Sequence, residues 1–315
     1  MRKKVLYWIA GIIFTAMILI VVISEYFLRY ALYRNSDTYN IEQRFDSFKR
    51  DYPQCASWVD SIRQSGALRD TFVMNRDGLK IHAWYLAFPA SVAHTAVIVH
   101  GHRSSAIDIM HIGYMFNKDL QWNILLPDLV AHGESEGKWI GMGWKDRLDV
   151  LQWIRVANST FPNTDMVVHG ISMGAATTMC VSGEKTPAYV KAFIADCGYT
   201  SVWDEFSGEI KKQFNLPAFP ILNIVSIVNK ISHGWSFQKA SPLRQVMKSH
   251  KPLLLIHGDA DDYVPTPMAN ILYQAKTGKK SLWLAPASTH ANAYKDHPRQ
   301  YTVKVKTFLK NIGIQ

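Results

Sequence analysis

Six short apolar runs constrain this chain more than any other feature: 96–99, 123–126, 166–168, 192–195, 253–256 and 281–284. None alternates apolar with polar residues. A strand with one wet face alternates, because successive side chains point to opposite sides. Short runs without alternation fit strands covered on both faces, as in a parallel sheet. Between them lie stretches of helical texture at 105–118, 143–157, 173–183, 266–276 and 293–313. Strand–helix alternation predicts right-handed βαβ units and a doubly wound, mostly parallel α/β sheet. Ahead of these units, 68–75 and 79–88 flank Arg76-Asp77-Gly78, a hairpin signal. Residues 199–250 break the rhythm. They are rich in Trp, Phe and Ile and punctuated by Pro217, Pro220 and Pro242, which predicts a short helical cap inserted between two central strands.

Residues 5–24 contain no Asp, Glu, Lys or Arg. Twenty residues at 1.5 Å each span about 30 Å, the thickness of a bilayer's hydrocarbon. Tyr7 and Trp8 stand at one edge and Tyr26 and Tyr30 at the other, like an aromatic belt. The run is longer than a signal-peptide core, and Ser24-Glu25-Tyr26 offers no small-x-small cleavage site. The expectation is one N-terminal transmembrane helix. Arg2, Lys3 and Lys4 precede it, which places the N-terminus in the cytoplasm and the bulk of the chain outside a cell membrane. Arg29 and Arg34 pull the other way. The organisation expected is an anchor at 1–28, a helical linker at 29–66 and one domain at 67–315, with the cap at about 199–250.

Composition excludes several classes. Aromatic residues make up 12% and charged residues 19%, which rules out a disordered chain. Three cysteines exclude a disulfide scaffold, and the odd number leaves at least one free thiol. The net charge of +10 is dispersed, with no run of five basic residues, and implies no nucleic-acid partner. A bilayer reached through the N-terminal helix is the expected partner. Neither H-E-x-x-H nor C-x-x-C is present, so no metal ligand set and no cofactor are expected.

The chemistry is written in Met166-Val167-Val168-His169-Gly170-Ile171-Ser172-Met173-Gly174-Ala175-Ala176. This is a strand, then G-x-S-x-G, then small residues that open a helix. Such a serine sits on a sharp turn, with glycines at −2 and +2 where the backbone is crowded. The helix behind it points N–H groups at developing negative charge. Ser172 is the candidate nucleophile. Oxyanion donors are expected from the backbone N–H of Met173 and from the loop after 96–99, where His102 is the candidate. His100 in the same loop reads as a structural brace.

The run 253–256 ends in His257-Gly258-Asp259-Ala260-Asp261-Asp262-Tyr263-Val264-Pro265. One carboxylate there can orient a histidine. Asp261 is the choice and Asp262 the runner-up, while Asp259 suits a turn. His290 follows the run 281–284 and is the candidate base. His297, before Pro298, is the alternative. The chain order Ser172, Asp261, His290 matches the order of nucleophile, acid and base in this architecture.

The sequence resembles the α/β-hydrolase superfamily, and within it bacterial membrane-anchored hydrolases near the serine aminopeptidase-like and BEM46-like groups. The resemblance rests on His100-Gly101-His102, Pro127-Asp128-Leu129 with His132-Gly133-Glu134-Ser135, Gly141 to Asp149, Gly170 to Gly174, Asp196-Cys197-Gly198-Tyr199-Thr200-Ser201, Ser241-Pro242-Leu243, His257 to Pro265 and His290. It covers roughly 68–313. It implies that the acid of G-x-x-D-x-x-V-P is Asp261, and that the loop with Asp128, Gly133 and Ser135 is structural. The family includes esterases, lipases, thioesterases and peptidases. The expected activity is hydrolysis of a small acyl or aromatic ester through an acyl-enzyme, with peptidase, amidase or thioesterase action on the same residues as the alternative and a non-catalytic membrane scaffold as the rival of another class. Trp203, Phe206, Phe214, Phe219 and Ile221 in the insertion suit an acyl pocket or simple packing of the cap.

Overall fold

The structure is a computed structural model that describes residues 2–34, 39–90 and 92–314. In chain order the helices and strands are α1 (Arg2–Leu32), α2 (Ile41–Asp51), α3 (Ala56–Gln64), β1 (Arg69–Met74), β2 (Lys80–Leu86), β3 (His94–Val99), α4 (Met110–Tyr114), β4 (Asn123–Pro127), α5 (Asp146–Thr160), β5 (Asp165–Ile171) and α6 (Met173–Ser182). They continue with β6 (Val190–Asp196), α7 (Val202–Phe214), α8 (Ile221–His233), α9 (Pro242–Val246), β7 (Leu253–Gly258), α10 (Pro267–Ala275), β8 (Lys280–Ala285), α11 (Ala293–Asp296) and α12 (Pro298–Asn311). The chain divides into two compact units, residues 1–33 with 201–240, and residues 34–200 with 241–315.

The larger unit holds one eight-stranded sheet in the order β1-β2-β4-β3-β5-β6-β7-β8. β1, β2 and β4 pair antiparallel and all other pairs are parallel. The antiparallel start comes from a tight turn. The Asn75 side-chain oxygen accepts from the backbone N–H of Asp77 and Leu79, and Gly78 takes the positive φ of 77° that the turn requires. Every residue of β4 and β7 is buried, which is why those segments do not alternate in sequence. β1 lies at the edge and alternates exposed with half-buried positions over Thr71–Met74.

Helices α2 and α3 belong to this unit's core. Phe45, Phe48, Trp58, Val59 and Ile62 are buried in the cluster that also contains Ile98, Ile112, Phe116 and Tyr301. Asn40 caps α2 by accepting from the backbone N–H of Gln43. The helical stretch expected over 293–313 is broken into α11 and α12. Pro298 cannot continue the hydrogen-bond ladder of a preceding helix and instead opens the next one.

In the smaller unit α1 runs for 31 residues. Its segment Lys4–Leu32 has a mean hydropathy of 2.7 over its most apolar window, none of which is buried. Among the described residues it is the one helix long and apolar enough to cross a membrane. Its C-terminal end is different: Ser24, Leu28 and Leu32, four residues apart, are buried on one face. Phe27 and Tyr30 meet the ring of Phe214 edge-on at 5.3 and 5.2 Å. Ser201 caps α7 by accepting from the N–H of Asp204, and Gly234 ends α8 with φ 80°.

Candidate active site

Crowding puts Ser172 where it is. β5 ends at Ile171, and Ser172 has φ 57° and ψ −119°, a conformation that L residues rarely adopt. Its N–H donates to the carbonyl of Asp196 at 2.8 Å, which fixes the turn to β6. A Cβ at position 170 would overlap the carbonyl of Gly174, and one at 174 would overlap the carbonyl of Val99. The two glycines of G-x-S-x-G therefore let β3, β5 and α6 close to one point. Every residue of α6 is buried, so its N-terminus acts in a medium that screens little.

Two loops beyond the sheet carry the partners. The Asp259 carboxylate accepts from the N–H of Ala287 at 2.6 Å, and Ala260 N–H donates to the Ser288 carbonyl at 3.1 Å. These bonds stitch the loop after β7 to the loop after β8, and give Asp259 the turn role its position suggests. They align Asp261 with His290. The Nδ1–H of His290 donates to Oδ2 of Asp261 at 2.8 Å, and Nε2 of His290 lies 2.9 Å from Oγ of Ser172. Oδ1 of Asp261 accepts from the N–H groups of Tyr263 and Val264, both at 3.0 Å. A carboxylate held from both sides cannot rotate away. Asp262 is exposed, and Nε2 of His297 bonds the Pro286 carbonyl at 2.7 Å.

The loop after β3 is braced by two buried histidines. His100 receives the N–H of Leu129 on Nε2 at 3.0 Å, so its proton sits on Nδ1, which donates to the Gly101 carbonyl at 2.7 Å. His132 likewise accepts the N–H of Arg103 on Nε2 and donates Nδ1–H to the carbonyl of Val130. Burial lowers the pKa of both below the ordinary histidine value, keeping them neutral. Asp128 accepts from Nδ1 of His82 at 2.7 Å and from the N–H of Ala106 at 2.8 Å, a joint between β2, β4 and this loop. Gly101 lies against Ser172, His102 lines the cleft, and Met173 is the first residue of α6.

The cleft has a volume of about 430 Å³, within the range of small-molecule pockets. Ser172 and His290 open onto it, with Tyr52, Ser104, Asp108, Ile109, Ile171 and Tyr263 among its walls. Tyr52 comes from the turn after α2 and stacks on His111, ring centroids 4.2 Å apart. Nothing in the local sequence around Tyr52 signals this, since it lies far from the strand-end motifs. His257 stands in the Asp261 motif, but its sequence position gives it no site role. Its Nε2 donates to the Val264 carbonyl at 2.8 Å and lies 3.3 Å from Oδ2 of Asp261.

Cys197, Asp261 and His290 have ligand atoms within 4.8 Å of one another, the spacing of a metal trio. Burial raises the Cys197 thiol well above its ordinary pKa, and His290 and Asp261 already satisfy each other.

An α/β-hydrolase sheet with a serine turn at its centre, and a histidine and a carboxylate at the following strand ends, defines a serine hydrolase. The profile of the prolyl oligopeptidase family matches residues 132–313, more than half of the 315-residue chain, and the chain belongs to that family. The uncharacterized protein YqkD of Bacillus subtilis is 29% identical over 237 residues, covering 75% of this chain and 77% of YqkD. An esterase from Pyrococcus furiosus superposes with a TM-score of 0.64 at 21% identity, over 80% of this chain and 96% of the esterase. An acylaminoacyl peptidase from Pyrococcus horikoshii superposes with a TM-score of 0.57 at 19% identity, over 77% of this chain and 40% of the peptidase.

Proposed function

We propose that the chain is a membrane-anchored serine esterase, with its hydrolase domain outside the cytoplasm, that cleaves small acyl or aromatic carboxylic esters. The observation that carries the reading is the continuous hydrogen-bonded line from Ser172 through His290 to Asp261. A serine hydroxyl is a weak nucleophile until a base stands at hydrogen-bond distance. Nε2 of His290 takes the proton as Oγ of Ser172 attacks the ester carbonyl. The N–H groups of His102 and Met173 hold the oxyanion, helped by the N-terminus of α6. Collapse expels the alcohol, which receives the proton back from Nε2. Water, deprotonated by the same nitrogen, then releases the acid and restores Ser172. Asp261 keeps the imidazole in the tautomer whose Nε2 is bare and stabilises the imidazolium.

Peptide cleavage is the second reading, and membership of the prolyl oligopeptidase family favours it. The cleft supports esters over peptides with a free amino terminus. Its one wall carboxylate, Asp108, is already met by Arg44, Ser104 and Ser105 at 3.3, 3.3 and 2.9 Å. The test is a comparison of chromogenic esters, thioesters and aminoacyl anilides on the full chain in detergent, with fluorophosphonate labelling read by mass spectrometry. Ester turnover and an adduct on the Ser172 peptide are expected. Faster anilide than ester turnover would replace the substrate class, and labelling elsewhere would overturn the mechanism.

A further inference from the structure

α8 is apolar on two opposite sides. Leu222 and Val225 are buried on one side, where Ser226 and Asn229 also tie the helix to the chain that follows it. Asn229 donates to the Trp235 carbonyl at 2.6 Å, and Ser226 bonds Gln238 and the N–H of Phe237. On the other side Ile227 is 59% exposed and Ile231, one turn on, 79% exposed; Phe219, just before the helix, is 75% exposed. A surface helix of a soluble unit carries polar residues there. The flanking charge is one-sided: residues 210–240 contain Lys211, Lys212, Lys230 and Lys239, all exposed, and no Asp or Glu. Exposed isoleucines bordered by lysines are the pattern of a helix lying in a membrane interface.

The position of α1 points to the same surface. α1 packs on α8 within one compact unit. Its side chains are exposed over 4–15 and 17–23 and buried at Ser24, Leu28 and Leu32, so its C-terminal end makes that contact. Eight residues of helix rise about 12 Å. The α1–α8 contact therefore falls within about that distance, measured along α1, of the point where the uncharged run ends. We propose that α8 is seated in the membrane–water interface, with Phe219, Ile227 and Ile231 among the lipid chains and the four lysines at anionic headgroups. The inference rests on reading α1 as a membrane span.

The test uses the full chain in vesicles of phosphatidylcholine and phosphatidylglycerol that include a phospholipid with a photoreactive acyl chain. After irradiation and trypsin, adducts are counted on peptides 213–230 and 231–239, on the α1 peptide 5–29, and on surface peptides of the larger unit. The expected result is labelling of both α8 peptides several-fold above those surface peptides, weaker in vesicles of phosphatidylcholine alone. Ile227→Glu with Ile231→Glu should reduce α8 labelling several-fold and leave hydrolysis of a soluble ester unchanged. Labelled α1 with unlabelled α8 overturns the inference while sparing the anchor, and assigns the face to a protein surface, a second copy included. Absence of label on both overturns the anchor as well.

Discussion

His257 and His290 share one oxygen: Nε2 of His257 lies 3.3 Å, and Nδ1 of His290 2.8 Å, from Oδ2 of Asp261. Burial alone would raise the Asp261 carboxyl, but the two imidazoles beside it outweigh burial and hold the group well below the usual carboxylate range. Burial likewise would lower His257, yet the Asp261 carboxylate beside it and its bond to the Val264 carbonyl leave its pKa raised. The acid is thus an anion between two imidazoles on one side, of which His290 donates to it, and two backbone N–H groups on the other.

Asp261→Asn should keep the fold and lower turnover by about 10⁴-fold, the size seen when the histidine tautomer is wrong. The amide oxygen can still take the N–H groups of Tyr263 and Val264. Its NH₂ group then faces the imidazoles, and His290 must move its proton from Nδ1 to Nε2, where it blocks the serine. Asp262→Asn, at an exposed position, should cost far less. Steady-state kinetics on both variants decides; the reverse order of effects would shift the acid by one residue.

His257→Phe separates support from chemistry. It removes the imidazole 3.3 Å from the carboxylate and leaves the buried Val264 carbonyl without its partner. Unfolding in denaturant should show a loss of about 1–3 kcal/mol, the cost of leaving a buried acceptor unsatisfied. Turnover at saturating ester should fall far less than in Asp261→Asn, because the Asp261–His290 bond remains. An equal fall in both variants would make His257 part of the reacting unit.

Much of this was legible in the chain because the signals were local. The runs 96–99, 166–168, 192–195 and 253–256 lie inside β3, β5, β6 and β7, since strands covered on both faces leave no polar alternation. Ser172, Asp261 and His290 could be chosen because each stands just beyond a strand end, where this sheet gathers side chains. Tyr52 and His257 could not. Tyr52 reaches the cleft through the packing of α2 and α3 on the sheet, a long-range contact with no periodic signature. The role of His257 depends on a side-chain contact with Asp261 that spacing alone does not distinguish from a plain strand end.

Asp149 predicts how stability responds to pH. Burial, with the Asp146 carboxylate nearby, raises it to about 7. Between about pH 4 and 7 the folded chain keeps a proton that the unfolded chain releases, so this group's contribution falls as pH rises. Asp149→Asn stays neutral, and its oxygen can still accept from Nδ2 of Asn75, now 3.2 Å from Oδ1 of Asp149. The variant should match the parent at pH 4 and exceed it by roughly 1–4 kcal/mol at pH 8. Denaturation of the full chain in detergent across that range is the measurement; a constant difference would assign the effect to packing instead.

Ser172 stores backbone strain, and the strain can be weighed apart from catalysis. Its φ of 57° with ψ −119° suits glycine and costs other residues about 1–3 kcal/mol. Ser172→Ala and Ser172→Gly both remove Oγ, so both should lose ester turnover and fluorophosphonate labelling. Their stabilities should differ in an unusual direction. At an ordinary position glycine is worse than alanine by roughly 0.5–1 kcal/mol, because its unfolded chain is freer. At this turn relief of strain outweighs that entropy, and Ser172→Gly should unfold about 1 kcal/mol later than Ser172→Ala. Paired denaturation curves of the two inactive variants give the answer. The ordinary order, with alanine ahead, would mean that the turn relaxes without the hydroxyl and that the side chain's bond to His290 holds the strained backbone in place.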